Sequence, residues 1–336
     1  MRELLTRTWM RRGPLALALW PVAACFGLLV RFRQLLYRWR LLNSQKLPVP
    51  VVIVGNVWAG GVGKTPVVMA LVRHLQQRGI GVGILSRGYA RQSHDIREVS
   101  TDSTAQEVGD EPLLIARLTG APVWVGSNRV AAGQELLRHH PKVQVLVCDD
   151  GLQHLPLSRD IELCVFDERG VGNGWLLPAG PLREPWPRRS TQAITCFEMT
   201  SGDFPHKGQH RIMRELADYA VRGDGTRRSL KEWHQRPVQA LAGIAKPQVF
   251  FDMLRAKGLT CLHTQALPDH DDLDHVRIDT ALGEVFCTEK DAVKLWLRHP
   301  EAWAVPLVIT LPSEMIQALD MRLDTKLSSS HGLQTS

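Results

Sequence analysis

Residues 51–65 read Val-Val-Ile-Val-Gly-Asn-Val-Trp-Ala-Gly-Gly-Val-Gly-Lys-Thr, an apolar strand running through a glycine-rich turn into a helix start. Glycines let backbone N–H groups close around phosphate oxygens, and a helix N-terminus adds its dipole. Lys64 is placed to reach β/γ-oxygens, and the Thr65 hydroxyl is placed for Mg2+. The chemistry is the gripping of a nucleoside triphosphate such as ATP, with Trp58, Ala59, Gly60, Gly61, Val62, Gly63, Lys64 and Thr65 as the residues around it.

A second group lies at 145–154. Val145-Leu-Val-Cys is an apolar strand that ends in Asp149 and Asp150, with Gly151, Gln153 and His154 directly after them. A carboxylate at the carboxyl end of a strand beside a phosphate loop holds Mg2+ or its water shell, so Asp149 pairs with Thr65 as a metal candidate. Asp150, Gln153 and His154 offer further polar contacts from the same loop.

These groups need a scaffold, and the hydropathy pattern supplies one. Strands are expected at Val51–Val54, Val82–Leu85, Val123–Val125, Val143–Val147 and Ile161–Phe166, with helices at Pro66–Gln77, Pro112–Leu118 and Arg129–Leu137. Strand–helix alternation implies a mostly parallel sheet covered on both faces. The stretch 170–189 is rich in Gly, Pro and Trp, the composition of an ordered functional loop or a linker, and 202–235 is polar and weakly patterned. A second series follows: strands at Val238–Ala242, Cys261–Ala266, Glu284–Cys287 and Leu307–Leu311, helices at Pro247–Ala256, Lys290–Leu297 and Ser313–Leu319. The expected fold is α/β: a P-loop NTPase-like parallel-sheet domain at 49–235, a smaller α/β domain at 236–325 that closes over the active site, and a polar tail at 326–336.

The first 48 residues form a membrane-associated helical segment in this reading. Residues 13–30 carry no charge, and Phe32, Leu35, Leu36 and Trp39 then recur at helical spacing between arginines. Eighteen residues span about 27 Å as a helix, marginal for a bilayer core of roughly 30 Å, so both spanning and lying on an anionic membrane surface stay open. Residues 1–40 hold eight arginines against Glu3 alone, which accounts for the whole net charge of +7. The remainder is neutral and lacks the bulk basicity that holds nucleic acid. With 44% hydrophobic and 22% charged residues, disorder is excluded too. The six cysteines form no CxxC or metal spacing and suit a reducing cytoplasm.

The order of several motifs is more specific. Gly55-Asn with Gly60-Gly-Val-Gly-Lys-Thr-Pro66, Ser86-Arg-Gly-Tyr89, Gly109-Asp-Glu-Pro112 and Asp149-Asp-Gly-Leu-Gln-His154 come first. Leu177-Pro-Ala-Gly-Pro-Leu-Arg-Glu-Pro185, Gly243-Ile-Ala-Lys-Pro247, Pro268-Asp-His270 and Thr288-Glu-Lys-Asp-Ala-Val-Lys-Leu295 follow. Together they resemble the tetraacyldisaccharide 4'-kinase (lipid-A 4'-kinase) family over nearly the whole chain. The resemblance implies transfer of the γ-phosphoryl of Mg-ATP to the 4'-hydroxyl of an acylated disaccharide 1-phosphate, giving the bisphosphorylated lipid A precursor. The place implied is the inner membrane with the catalytic domains facing the cytoplasm, without an obligate protein partner.

Carried over by motif, Asp110 becomes the catalytic carboxylate, supported by His270, and the second histidine that often follows in the family is replaced here by Asp271. Arg87, Glu111, Arg183 and Glu184 are secondary candidates, the arginines because their planar donor fork suits phosphates. By residue type alone Asp110 also suits a helix N-cap, with Glu111 and Pro112 in the first turn. A membrane-associated switch ATPase is the alternative function. The GGxGKT loop resembles that of the partitioning-type ATPases, but Ala59 stands where those place a further lysine.

Overall fold

A computed structural model describes residues 2–89, 91–100, 102–188, 194–202, 208–269 and 271–331. Its first sheet contains β1 (Val51–Gly55), β2 (Val82–Ser86), β3 (Arg97–Glu98), β4 (Val123–Val125), β5 (Val145–Asp149), β6 (Ile161–Phe166), β7 (Thr195–Thr200) and β8 (Gln209–Arg211). The order is β3-β4-β2-β5-β1-β6-β7-β8, parallel throughout except for β3. β1, β2, β5 and β6 are buried along their whole length, as parallel strands covered on both faces must be.

The helices α1 (Arg2–Met10), α2 (Pro14–Arg38), α3 (Lys64–Gln77), α4 (Ala105–Val108), α5 (Asp110–Thr119) and α6 (Arg129–His139) belong to this half. Side chains alternate along β1, so Val52 and Val54 pack with Leu71 and Leu75 of α3, whereas Val51 and Ile53 pack with Val130 and Leu136 of α6. Parallel pairing of β1 with β5, with Val54 opposite Asp149, brings their carboxyl ends to one edge, where the phosphate loop and Asp149 emerge.

The second half contains β9 (Met213–Leu216), β10 (Tyr219–Val221), β11 (Arg227–Ser229), β12 (Pro237–Ala242), α7 (Pro247–Ala256), β13 (Thr260–Ala266), β14 (Glu284–Thr288), α8 (Glu289–Leu295), β15 (Trp303–Val305), β16 (Leu307–Thr310) and α9 (Ser313–His331). Its six-stranded sheet runs β11-β10-β15-β14-β12-β13. The packing centre is aromatic: Trp233 sits edge-on to Phe286 and Trp303, each with ring centroids 5.0 Å away. The antiparallel ribbon β9–β16 carries the chain into this half and back out of it.

The structure departs from the sequence expectation in three places. The polar stretch 202–235 supplies β8–β11, two of which pair into the second sheet, so that sheet starts before residue 236. Short two-sided strands with few apolar residues leave little periodicity to detect. The chain after β16 also leaves the second half. α9 buries Met315, Leu319 and Leu323 in the core shared with α3, and Arg78, the C-cap residue of α3, pairs with Asp320 at 2.7 Å and Asp324 at 2.8 Å. The expected tail is helical to His331. Finally, α2 is one continuous 25-residue helix with Pro21 inside it, joining the uncharged stretch to the arginine-flanked one.

Candidate active site

The phosphate loop is held open by glycine and by contacts outside its cradle. Gly60 and Gly63 have φ of 128° and 76°, and Gly63 caps α3 in the left-handed region. A Cβ on Gly63 would also come within 2.9 Å of Arg214 Nη2. Arg214, on β9, donates to the Val62 carbonyl at 2.8 Å, and Arg169 donates to the Gly61 carbonyl at 2.9 Å while lying over the Trp58 ring. With the carbonyls engaged outward, the loop's amides are left to face an anion. Trp58 is buried against Trp9 of α1, so only its backbone is available to a nucleotide.

Asn56 organises the interior of the site. Its amide donates to the carbonyls of Trp58 (2.9 Å) and Gly60 (3.2 Å), and its Oδ1 accepts from Lys64 Nζ at 3.2 Å and from Arg183 at 3.4 Å. Lys64 Nζ also lies 3.5 Å from Asp150, which Arg183 approaches at 3.4 Å. Burial opposes the charge on Asp150, but the Lys64 and Arg183 cations outweigh it and hold its carboxyl below the usual range. Asp150 adopts φ 52°, turning the chain sharply after β5.

Asp149 is the contrasting carboxylate. It is 1% exposed, and its Oδ1 has no hydrogen-bond partner among the described residues. Burial first, and the neighbouring Glu111 charge second, push its carboxyl up to about 8 against the pull of Lys64. A buried carboxylate left without partners beside a phosphate loop fits a divalent cation, which would supply the missing charge and hold the group ionised. Thr65, also buried, is the second residue of α3, directly after the loop.

Around this centre the remaining candidates divide. Glu184, with a side chain only 3% exposed, accepts from Gln153 (2.6 Å), Arg188 (2.6 Å) and Gln34 of α2 (3.3 Å), so it braces the site wall. His154 is driven down to about 4, first by burial and then by Arg129, Arg159, Arg33 and Arg87, and is therefore neutral at neutral pH. Arg87 is exposed. Asp110 is the first residue of α5 rather than its cap, a position taken by Gly109, so the capping alternative does not hold. Instead its Oδ2 meets Lys294 Nζ of α8 at 2.7 Å, across the two halves. Lys246 makes a second such link, to Asp167 at 2.9 Å and to Glu168. His270 lies outside the described residues.

Sequence reasoning missed Asn56 as a hub, and missed Arg129, Arg169, Arg214, Lys246 and Lys294. Asn56 was detectable, since it follows the strand directly. The basic residues look like ordinary surface charges until the fold turns them inward.

A glycine-rich loop between a parallel strand and its helix, with paired carboxylates ending the adjacent strand, defines a phosphate-loop nucleotide-binding protein. The family model described as tetraacyldisaccharide-1-P 4'-kinase matches residues 15–324. The chain belongs to this family and is a kinase. It is 52% identical over 332 residues to a tetraacyldisaccharide 4'-kinase of Acidovorax sp. (strain JS42), covering 98% of this chain and 97% of the relative. It is 51% identical over 343 residues to one of Polaromonas naphthalenivorans, covering 100% of both. Among solved structures, the "apo" form LpxK from Aquifex aeolicus in complex with ATP is similar, with a TM-score of 0.78 and 29% identity over 92% of this chain and 99% of that one.

Proposed function

We propose that this kinase transfers the γ-phosphoryl of ATP to the 4'-hydroxyl of a tetraacyl disaccharide 1-phosphate at the cytoplasmic face of the inner membrane. One observation carries the reading: the phosphate loop and the unpartnered Asp149 oxygen share one strand edge, within a chain matching the kinase family over residues 15–324. Mg2+, held by Thr65 and Asp149, would neutralise charge on the β- and γ-phosphates. Lys64 and the amides of 60–65 orient the triphosphate, and Asn56 keeps Lys64 aimed. Phosphoryl transfer depends chiefly on alignment, charge neutralisation and a proton acceptor. Asp110 takes the proton of the attacking hydroxyl, with His270 as its supporting group. The arginines around neutral His154 provide a field suited to the substrate's own phosphate.

The N-terminal helices support a membrane-borne acceptor. α2 is long and apolar enough to cross a bilayer, yet only Ala16, Ala23 and Gly27 are buried along it. Leu17, Leu28, Leu29 and Phe32 are each more than half exposed. The same segment is tied to the site: Trp9 donates to the Pro178 carbonyl at 2.9 Å and packs on Trp58, while Gln34 reaches Glu184. The N-terminal helices and the candidate site are thus in contact.

The test is to incubate the protein with γ-labelled ATP and either the acylated disaccharide 1-phosphate or carrier lipid. Label in the disaccharide supports the kinase reading; ATP turnover indifferent to the lipid supports a switch ATPase. Replacing Leu28 and Leu29 together by Glu is expected to weaken sedimentation with anionic vesicles more than tenfold, because each buried leucine contributes about 1.5–3 kcal/mol. ATP affinity should stay unchanged, since neither side chain faces the loop. Undiminished sedimentation would contradict membrane docking through α2.

A further inference from the structure

Lys294 is the cation that joins the proposed base to the second half of the molecule. Its Nζ donates to Asp110 Oδ2 at 2.7 Å and to the Asp271 carbonyl at 2.8 Å. The two side chains are only 16% and 9% exposed, so this is not a solvated surface pair. One turn earlier on α8, Lys290 Nζ meets Asp269 Oδ1 at 2.8 Å. The helix therefore holds residues 269 and 271 together with Asp110. Its own start is fixed: Thr288 accepts from the Asp291 amide at 3.2 Å, and buried Asp291 accepts from the Gly243 amide at 3.0 Å.

We propose that Lys294 is a positioning residue for catalysis, one that aligns Asp110 when the two halves come together. The inference rests on the reading of Asp110 as base. A cation at hydrogen-bond distance favours the ionised carboxylate, the form able to accept a proton, and restricts its rotation. It also weakens that carboxylate as a base, so the gain is in alignment rather than in proton affinity. Because Asp110 sits on α5 of the first half and Lys294 on α8 of the second, the pair depends on the two halves packing together. Alignment would then follow closure, which keeps water from taking the phosphoryl group in an open site.

The experiment is a steady-state comparison, in the full-length protein with the acylated disaccharide 1-phosphate, of wild type, Lys294→Met, Lys294→Arg, Asp110→Asn and the double variant Asp110→Asn/Lys294→Met. Misplacing a reacting group by about 1 Å is worth about 10²-fold, so kcat of Lys294→Met should fall by about that factor with KM for ATP unchanged. Lys294→Arg should recover part of the loss, and the double variant should be no slower than Asp110→Asn alone, since both act through one carboxylate. Lys294→Gln, which keeps a donor without the charge, replaces the Met variant if that one does not fold. A wild-type kcat, a loss seen in KM alone, or a loss that multiplies with Asp110→Asn overturns the proposal. Wild-type kcat in Asp110→Asn sinks the base assignment instead, whereas a slow Asp110→Asn beside a fast Lys294→Met sinks only the role of Lys294.

Discussion

Lys64→Ala should lose phosphoryl transfer by at least 10²–10³-fold, the order of effect seen when one preorganised charge-stabilising donor is removed. The expected loss is large because Lys64 is the cation carried by the glycine loop itself, at the start of α3. Lys64 Nζ sits between Asn56 and Asp150, aimed by the loop that carries the triphosphate, and its side chain is 11% exposed. Removing it also takes away the main charge opposing the upward push on Asp149, so that carboxyl would be protonated more readily. The fold should persist, because Asp150 keeps Arg183 and Asn56 keeps its two bonds to the loop carbonyls. Label transfer and a thermal melt check both halves of the expectation. Wild-type turnover in this variant would refute the assignment of the loop.

Asp110→Asn should lower kcat by about 10²–10⁴-fold and leave KM for ATP near its wild-type value. The amide cannot accept the hydroxyl proton, yet its oxygen can still take the hydrogen bond from Lys294, and Lys294 keeps the Asp271 carbonyl. The variant is therefore a near-isosteric test of proton acceptance rather than of packing. Asp110 does not cap α5, so no helix cap is lost with the charge. A change confined to KM would remove the general-base role and leave Asp110 as a substrate contact.

The local elements were legible in the sequence where one physical signal dominated. β1 is an unbroken apolar run, β5 is one up to its terminal Asp149 and β6 is one apart from Glu162, and runs of that kind fit a sheet buried on both faces. The helix starting at Lys64 follows from glycines that have to adopt positive φ. The geometry of the candidate site was legible where the local backbone sets it, as in the glycine turn of 60–65 and the strand end at Asp149. Glu184 shows the opposite case. Its motif made it a secondary candidate, and only the fold shows the buried bonds to Gln153, Arg188 and Gln34 by which it braces the site wall.

What the sequence determined by itself was membership of a kinase family and the local parts of the chain: a glycine-rich loop between strand and helix, a carboxylate pair at a strand end and an apolar arginine-flanked segment. These depend on residue type and on neighbours a few positions away, and so they survive in one dimension. Tertiary structure decided which charges meet. Lys294 and Asp110 are 184 residues apart, and Lys246 and Asp167 are 79 apart. It also decided that α9 returns to the first core and that Oδ1 of Asp149 has no hydrogen-bond partner among the described residues, whereas Asp150 meets Lys64 and Arg183. Burial and long-range pairing set the free energy of each charge, and neither exists until the sheet edges and the crossing ribbon bring distant segments together.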